Sequence, residues 1–172
     1  MDAIEAVLTR KSIRKYTGEN ISEENLRTIL EAAVSGPTCA NTRDWQFIVV
    51  RDRETLNKMA DANGRPAEPL RNADVGILVL GDLDRAFSPA KDYWIIDGAI
   101  AGQNICIAAH GLGLGAVWLG TYPQAERVDN LKRLFDLPDN VIPHSIIALG
   151  VPAESGREKP PFEEDRFHFE KY

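Results

Sequence analysis

Two periods of apolar spacing run along this chain. Behind Ser22, with Glu23 and Glu24 next, apolar residues fall at Leu26, Ile29, Leu30, Ala33 and Val34. That spacing after an N-cap residue predicts a helix, and Gly36-Pro37 ends it. Residues 45–50 (Trp-Gln-Phe-Ile-Val-Val) and 75–80 (Val-Gly-Ile-Leu-Val-Leu) are short, apolar and β-branched, the pattern of buried strands, with a helix over 53–60 between them. Two more strands are expected at 115–119 and 145–149, separated by a helix over 125–135 whose end Pro138 marks. Residues 64–69 and 82–91, which carry Gly64, Pro66, Pro69 and Pro89 among charges, read as loops.

Residues 93–110 form a predicted helix that is apolar almost all round and must therefore be buried. Gly98, Gly102 and Cys106 make a stripe of small residues along it, suited to core packing or to a seam with a second subunit; Asp97, Gln103 and Asn104 argue against a membrane span. Strands and helices alternate without βαβ regularity, so an α+β architecture is expected, with helices covering a small sheet. From Pro152 onward the chain is polar, with Phe162, Phe167, Phe169 and Tyr172 spaced through charges. Such a tail has no core of its own and needs a surface to lie on.

At 172 residues and 44% hydrophobic, the chain suits one domain over 1–172, with 152–172 as an extended arm. A domain of this size buries roughly 70% of its unfolded surface. The formal charge of −6 argues against nucleic acid or an anionic membrane as partner. With no cationic-then-apolar leader and no long apolar segment, a cytoplasmic location is expected. Cys39 and Cys106 lack the spacing of a disulfide framework or zinc site and should be reduced thiols.

Against this acidic background, residues 10–16 (Arg-Lys-Ser-Ile-Arg-Lys-Tyr) set four cations and a hydroxyl together. If the run continues or ends a helix over 2–9, Arg10 and Arg14 share a face and both reach one phosphate. A solvated basic helix end is the alternative. Gly111 to Ala116 spells G-x-G-x-x-A, but a helix precedes it and a strand follows, so a helix cap is favoured over a dinucleotide turn. Pro37-Thr38-Cys39-Ala40-Asn41 is either simple punctuation or a loop offering hydroxyl, carboxamide and amide groups to a ring edge. His110, His144 and His168 are isolated helix-end or loop residues, with His110 favoured by a helix C-terminus. Cys39 has no base nearby to activate it. Asp74, Asp82, Asp92 and Asp97 are explained by capping and solvation, and no carboxylate pair is placed for acid/base work. An anion site and a ring-edge loop without a side-chain catalyst suggest an enzyme whose cofactor carries the chemistry.

In order, spacing and character, residues 10–16, the 37–41 loop and the run from Asp97 to Gly120, with Arg157 and Lys159 in the tail, resemble the short branch of the FMN-dependent nitroreductase family. The resemblance implies a small, mostly antiparallel sheet covered by helices. It further implies an intertwined homodimer, with C-terminal tails exchanged and two FMN molecules at the interface. Arg10, Lys11, Ser12 and Arg14 would take the phosphate and ribityl chain, completed by Arg157 and Lys159. Pro37, Thr38, Cys39 and Asn41 would reach the flavin from the opposite subunit, and Trp118, Leu119 and Gly120 would lie beside its ring. Family members often carry Gln-Pro-Trp after the loop. Here Arg43-Asp44-Trp45 stands there, so Arg43 either favours reduced flavin or an acidic substrate, or pairs with Asp44. The implied activity is ping-pong electron transfer from NAD(P)H through FMN to a small acceptor such as a nitroaromatic or quinone. A non-catalytic flavin or phospholigand-binding module is the competing expectation.

Overall fold

In the computed structural model, which describes residues 1–172, four strands build one antiparallel sheet: β1 (Trp45–Val50), β2 (Val75–Asp82), β3 (Gly115–Gly120) and β4 (Val141–Gly150). Their order is β1-β2-β4-β3. Alternate side chains feed two cores, as the two-residue period of a strand requires. Leu78, Leu80, Val117, Leu119, Ile146 and Ala148 join residues of α3 (Arg53–Asn63) and α5 (Ala125–Leu134). Val75, Ile77, Val79, Ala116, Ile147 and Leu149 join α2 (Glu23–Ala33) and α4 (Tyr93–Gly111). Burial on both faces explains why these strands read as continuous apolar runs, a pattern more familiar from parallel sheets. Ser22 caps α2 as expected, accepting from the Asn25 N–H at 3.2 Å.

Several boundaries differ from the sequence expectation. β4 begins at Val141 and so contains Pro143. The register passes from Val79↔Ser145 to Leu80↔Pro143, leaving His144 as the extra residue of a bulge. A bulge is where a central strand tolerates a proline, since the ladder is already interrupted. β2 runs on to Asp82 because its carboxylate is satisfied by Gln46, Asn140 and the Asp84 N–H. Residues 64–69 are not an open loop: Arg65–Arg71 is a 3-10 segment that buries Ala67 and Leu70, three apart and hence eclipsed. The Arg53 guanidinium ties it down through the carbonyls of Leu70, Arg71 and Ala73.

Only one side of α4 is buried within the chain. Gly98 and Gly102 face the sheet, where an added Cβ at Gly102 would stand 2.4 Å from the Trp118 ring and one at Gly98 3.0 Å from His144. The small stripe is therefore core packing. On the other side Tyr93 is 44% and Ile96 53% exposed. The helix ends with Gly113 at φ +76, the Gly113 N–H donating to His110 O and the Leu114 N–H to Ala109 O. This is a Schellman cap, and it accounts for the glycines without a dinucleotide. α1 (Ala3–Thr9) packs on α4, and the tail carries exposed Phe162, Phe167, Phe169 and Tyr172. No helix is long and apolar enough to cross a membrane.

Candidate functional site

The basic run does not continue α1. The helix stops at Thr9, Arg10 already has ψ 130, and the chain then lies extended along the free edge of β3, bridged at Ser12↔Ala116 and, beyond β4, at Tyr16↔Pro152. Arg10 and Arg14 thus share a side through the two-residue period of extended backbone, together with Ser12, not through a helical turn. Two side chains anchor the segment between its cations: Ile13 and Tyr16 are 7% and 8% exposed. The Tyr16 hydroxyl donates toward Ile13 O and Ala148 O at 2.8 and 3.1 Å, and burial pushes its pKa up. A Cβ on Gly115 would stand 2.7 Å from Ile13, so only glycine lets the segment lie this close.

The chain end returns to the same place. The Ala153 N–H donates to Lys15 O at 2.9 Å, and the Glu154 carboxylate accepts the Arg14 N–H at 2.7 Å. Gly156 has φ +71, and a Cβ there would meet Lys11 at 3.0 Å and Ile13 at 3.1 Å. This turn brings Arg157 and Lys159 against the basic run. A cavity of about 200 Å³ is lined by Arg10, Lys11, Ser12, Arg14, Arg157 and Lys159, among others. A neighbouring one of about 520 Å³ is lined by Ser12, Arg14, Lys15, Arg157 and the 154–156 turn. Arg27, Lys58, Arg71 and Arg166 pair with carboxylates, whereas none of the six cations lining these two cavities forms an ion pair. Lys159 instead donates to Val7 O at 3.0 Å, and burial followed by the Arg10 charge lowers its pKa.

His110 also belongs to this corner, hydrogen-bonded to the Thr9 hydroxyl at 2.8 Å. A helix C-terminus favours the cation, yet burial, then Arg10 and Lys159, lower its pKa. Burial and the local cations together outweigh the dipole. His144, expected at a helix end or in a loop, lies in the β4 bulge and is buried, held by Ile95 O and the Ser145 hydroxyl at 2.9 and 3.0 Å. Trp118 is half-buried between Gly102 and His144, Leu119 is buried, and Gly120 ends β3 exposed.

The 37–41 loop is more than punctuation. Ala40, Asn41 and Arg43 all have positive φ, at +48, +56 and +50. Such backbone costs of order 1–3 kcal/mol per residue and persists only where surroundings impose it. One constraint is Asp97 on α4, 2% exposed, both of whose carboxylate oxygens accept the Cys39 N–H at 3.0 and 3.1 Å. Another is the Thr38 hydroxyl, which accepts the Arg43 N–H at 3.0 Å. Asp97 is therefore neither solvated nor a cap. Burial, then the Asp97 and Asp44 charges, push the Cys39 thiol pKa up, so it is no activated nucleophile. Arg43 does not pair with Asp44; its guanidinium lies 4.8 Å from the Trp45 ring centroid. Asp44 is fully buried, and neither of its carboxylate oxygens has a hydrogen-bond partner.

The structure thus assembles the expected residues into separate groups. Arg10, Lys11, Ser12, Arg14, Arg157 and Lys159 meet at the C-terminal end of α4, near His110, whereas Pro37, Thr38, Cys39 and Asn41 sit by Asp97 near its other end. Asp97 and His110 are thirteen helical steps apart, about 20 Å at 1.5 Å per residue. A further groove of about 650 Å³ joins Arg14 and Lys15 to Arg65 and Asn72. Its second wall lies in a stretch read as an open loop. The only cue was the cationic residue after Gly64; the pairing with residues 14–15 is long-range.

The α+β fold thus presents, at one strand edge, a cluster of cations without carboxylate partners. The nitroreductase family model matches residues 7–77 and 65–151, and the chain belongs to that family, one of oxidoreductases. A protein of Methanothermobacter thermautotrophicus provisionally named NADH dehydrogenase/NAD(P)H nitroreductase is 45% identical over 172 residues, covering 100% of this chain and 88% of its own. The FMN reductase [NAD(P)H] of Bacillus subtilis is 31% identical, covering 92% of this chain and 69% of its own. A solved Desulfovibrio desulfuricans structure, provisionally a nitroreductase and in complex with FMN, superposes with a TM-score of 0.84 at 32% identity, over 100% of this chain and 98% of that one.

Proposed function

We propose that the chain is an NAD(P)H-dependent FMN oxidoreductase that works as a homodimer, each cofactor site being completed by the partner. The observation that carries the reading is the cradle of Arg10, Lys11, Ser12, Arg14, Arg157 and Lys159, six residues with no acid paired to their cations in a chain of net charge −6. Those donors suit a phosphate dianion, and Gly156 leaves the backbone of the 154–156 turn free of a clash with Lys11. FMN, held there, would supply the redox chemistry between NAD(P)H and a small acceptor such as a nitroaromatic or quinone. The chain's own groups would hold and orient it: cations would neutralise the phosphate, Trp118, Leu119 and Gly120 would lie beside the ring, and the Thr38 N–H with the side chains of Pro37, Thr38, Cys39 and Asn41 would meet its polar edge from the partner. Arg43, exposed and stacked on Trp45, is the group for an anionic acceptor.

Two observations favour the dimer. The cradle and the loop lie about 20 Å apart along α4, which favours a partner supplying one of the two to a small cofactor. Ile4, Val7 and Leu8 of α1 are 70%, 47% and 64% exposed, and together with Ile96, Phe162 and Phe169 they leave apolar surface that asks for cover. In this reading 1–172 is one FMN-binding domain and 152–172 is its arm, lying on the partner. The test is a visible spectrum of the purified protein, FMN titration, and anaerobic mixing with NADH or NADPH. Yellow protein bleached by either donor, with parallel double-reciprocal plots on varying acceptor, is expected. Colourless protein that takes up no FMN would overturn the reading, and bound flavin that neither donor bleaches would leave a binding module.

A further inference from the structure

Asp44 stands out among the buried groups. Its side chain is fully buried, its two oxygens have no hydrogen-bond partner, and only its backbone carbonyl is used, accepting the Asp82 N–H at 2.7 Å. A buried carboxylate without a donor is among the costliest groups a core can hold, so it takes up a proton. Every charged group acting on it from the packed elements has the same sign. Asp97 on α4 is the strongest, and Asp82 on β2 follows, its own carboxylate engaged by Gln46, Asn140 and the Asp84 N–H. Arg43, adjacent in sequence, is turned away over Trp45. His144 on β4 packs on α4 at Gly98, where burial keeps it neutral and Ile95 O occupies its Nε2. Cys39, above Asp97, is a thiol.

We infer that Asp97 and Asp44 form one positioning unit for loop 38–43, Asp97 gripping the Cys39 amide while a proton on Asp44 closes the pair. Asp97 is the only acceptor of the Cys39 N–H, and the three left-handed residues that follow would relax if that grip were lost. A second negative charge on Asp44 repels Asp97 and weakens the grip. Burial, then Asp97, push the Asp44 pKa from 3.8 up to about 6. The folded value lies above the unfolded one, so the contribution is fully present below 3.8 and lost as pH rises through about 6. Only the part of that shift that comes from Asp97 belongs to the grip, so the gripped state should weaken as pH rises through about 6.

The inference rests on the reading that the loop meets the flavin, and two readouts on the full chain separate the claims. The first is hydrogen-exchange protection of the Cys39 amide without flavin, in wild type, Asp44→Asn and Asp97→Asn. Wild-type protection, corrected for the intrinsic pH dependence of exchange, should fall from pH 5 to pH 7.5. It should stay flat in Asp44→Asn, whose amide donates to Asp97 at every pH, and be reduced throughout in Asp97→Asn. Protection independent of pH in wild type, or Asp44→Asn tracking wild type, overturns the unit; Asp44→Asn, equal in volume, carries the test if Asp97→Asn fails to fold. The second is the FMN dissociation constant, with Asp44→Asn as reference because ionisation of the FMN phosphate is common to both. Wild type should lose affinity relative to Asp44→Asn between the two pH values, in step with its loss of Cys39 protection. Amide protection that responds while relative FMN affinity does not would uphold the pair and remove the loop from the flavin.

Discussion

Replacing Arg14 by Ala removes the cation that borders the two cradle cavities and the groove toward Arg65. Its guanidinium holds no carboxylate and makes no hydrogen bond within the chain; only its backbone N–H is used, by Glu154. Folding stability should therefore change by less than about 0.5 kcal/mol, as for an ordinary surface substitution. Binding is different. A hydrogen bond to a charged group contributes about 1.5–3 kcal/mol. Arg14 is exposed, which places the loss at the lower end, about 1.5–2 kcal/mol or roughly 10- to 30-fold in Kd. Removing Arg157 as well should cost less than the sum, because both line the same cavities and share one anion. Quenching of FMN fluorescence on titration with flavin-free protein reads the constant, with riboflavin as the phosphate-free comparison and Arg27→Ala, paired with Glu31 on α2, as control. FMN affinity should fall and steepen in its salt dependence less than wild type, while riboflavin affinity stays unchanged. Equal losses for FMN and riboflavin, or none for either, would refute the phosphate assignment. Lys15 is no clean control, since it lines two of the same spaces.

Two other outcomes follow from the packing. His110, held below its ordinary 6.5 by burial, Arg10 and Lys159, should titrate below that value by NMR in flavin-free protein and move upward when FMN or inorganic phosphate offsets the cations. Its neutral form supports the Thr9 contact above pH 6.5, and that support is lost as pH falls through the lowered value; a pKa indifferent to both anions would place the phosphate elsewhere. Gly102→Ala drives a methyl toward Trp118 and should destabilise by about 1–3 kcal/mol in urea titration, whereas Gly111→Ala, with open space around it, should be near neutral. Equal effects at the two glycines would mean that the close approach of α4 to β3 is not what selects glycine.

Local patterns predicted the parts of the fold that local physics decides. β1 and β2 were legible from six-residue apolar runs, α2 from Ser22 and its spacing, and the α4 terminus from its glycines, because capping and periodicity act within a few residues. Non-local contacts were not legible. The strand expected over 145–149 starts at Val141, since nothing near Pro143 announces that His144 bulges against β2. The basic run looked like a helix end because its extended form depends on Ile13 and Tyr16 packing against Gly115 and Gly150. Arg157 and Lys159 came from the family resemblance; the turn at Gly156 that returns them shows only in three dimensions. The Asp44–Asp97 pair was invisible for the same reason: the residues are 53 positions apart and each is ordinary in its local setting. Likewise α4 was expected to be buried all round, and its uncovered side became evident only when the chain's own elements were placed.

The claim that one cofactor site takes its cradle from one chain and its loop from another is tested most directly by mixed dimers. A chain carrying Arg14→Ala and Arg157→Ala is combined with one carrying Thr38→Ala and Asn41→Ala, and tagged heterodimers are isolated for FMN titration. If the sites are shared, one site carries both defects and the other neither, so the heterodimer should bind one FMN with wild-type affinity. If each chain builds its own site, both sites carry a defect, and wild-type affinity at neither would contradict the account.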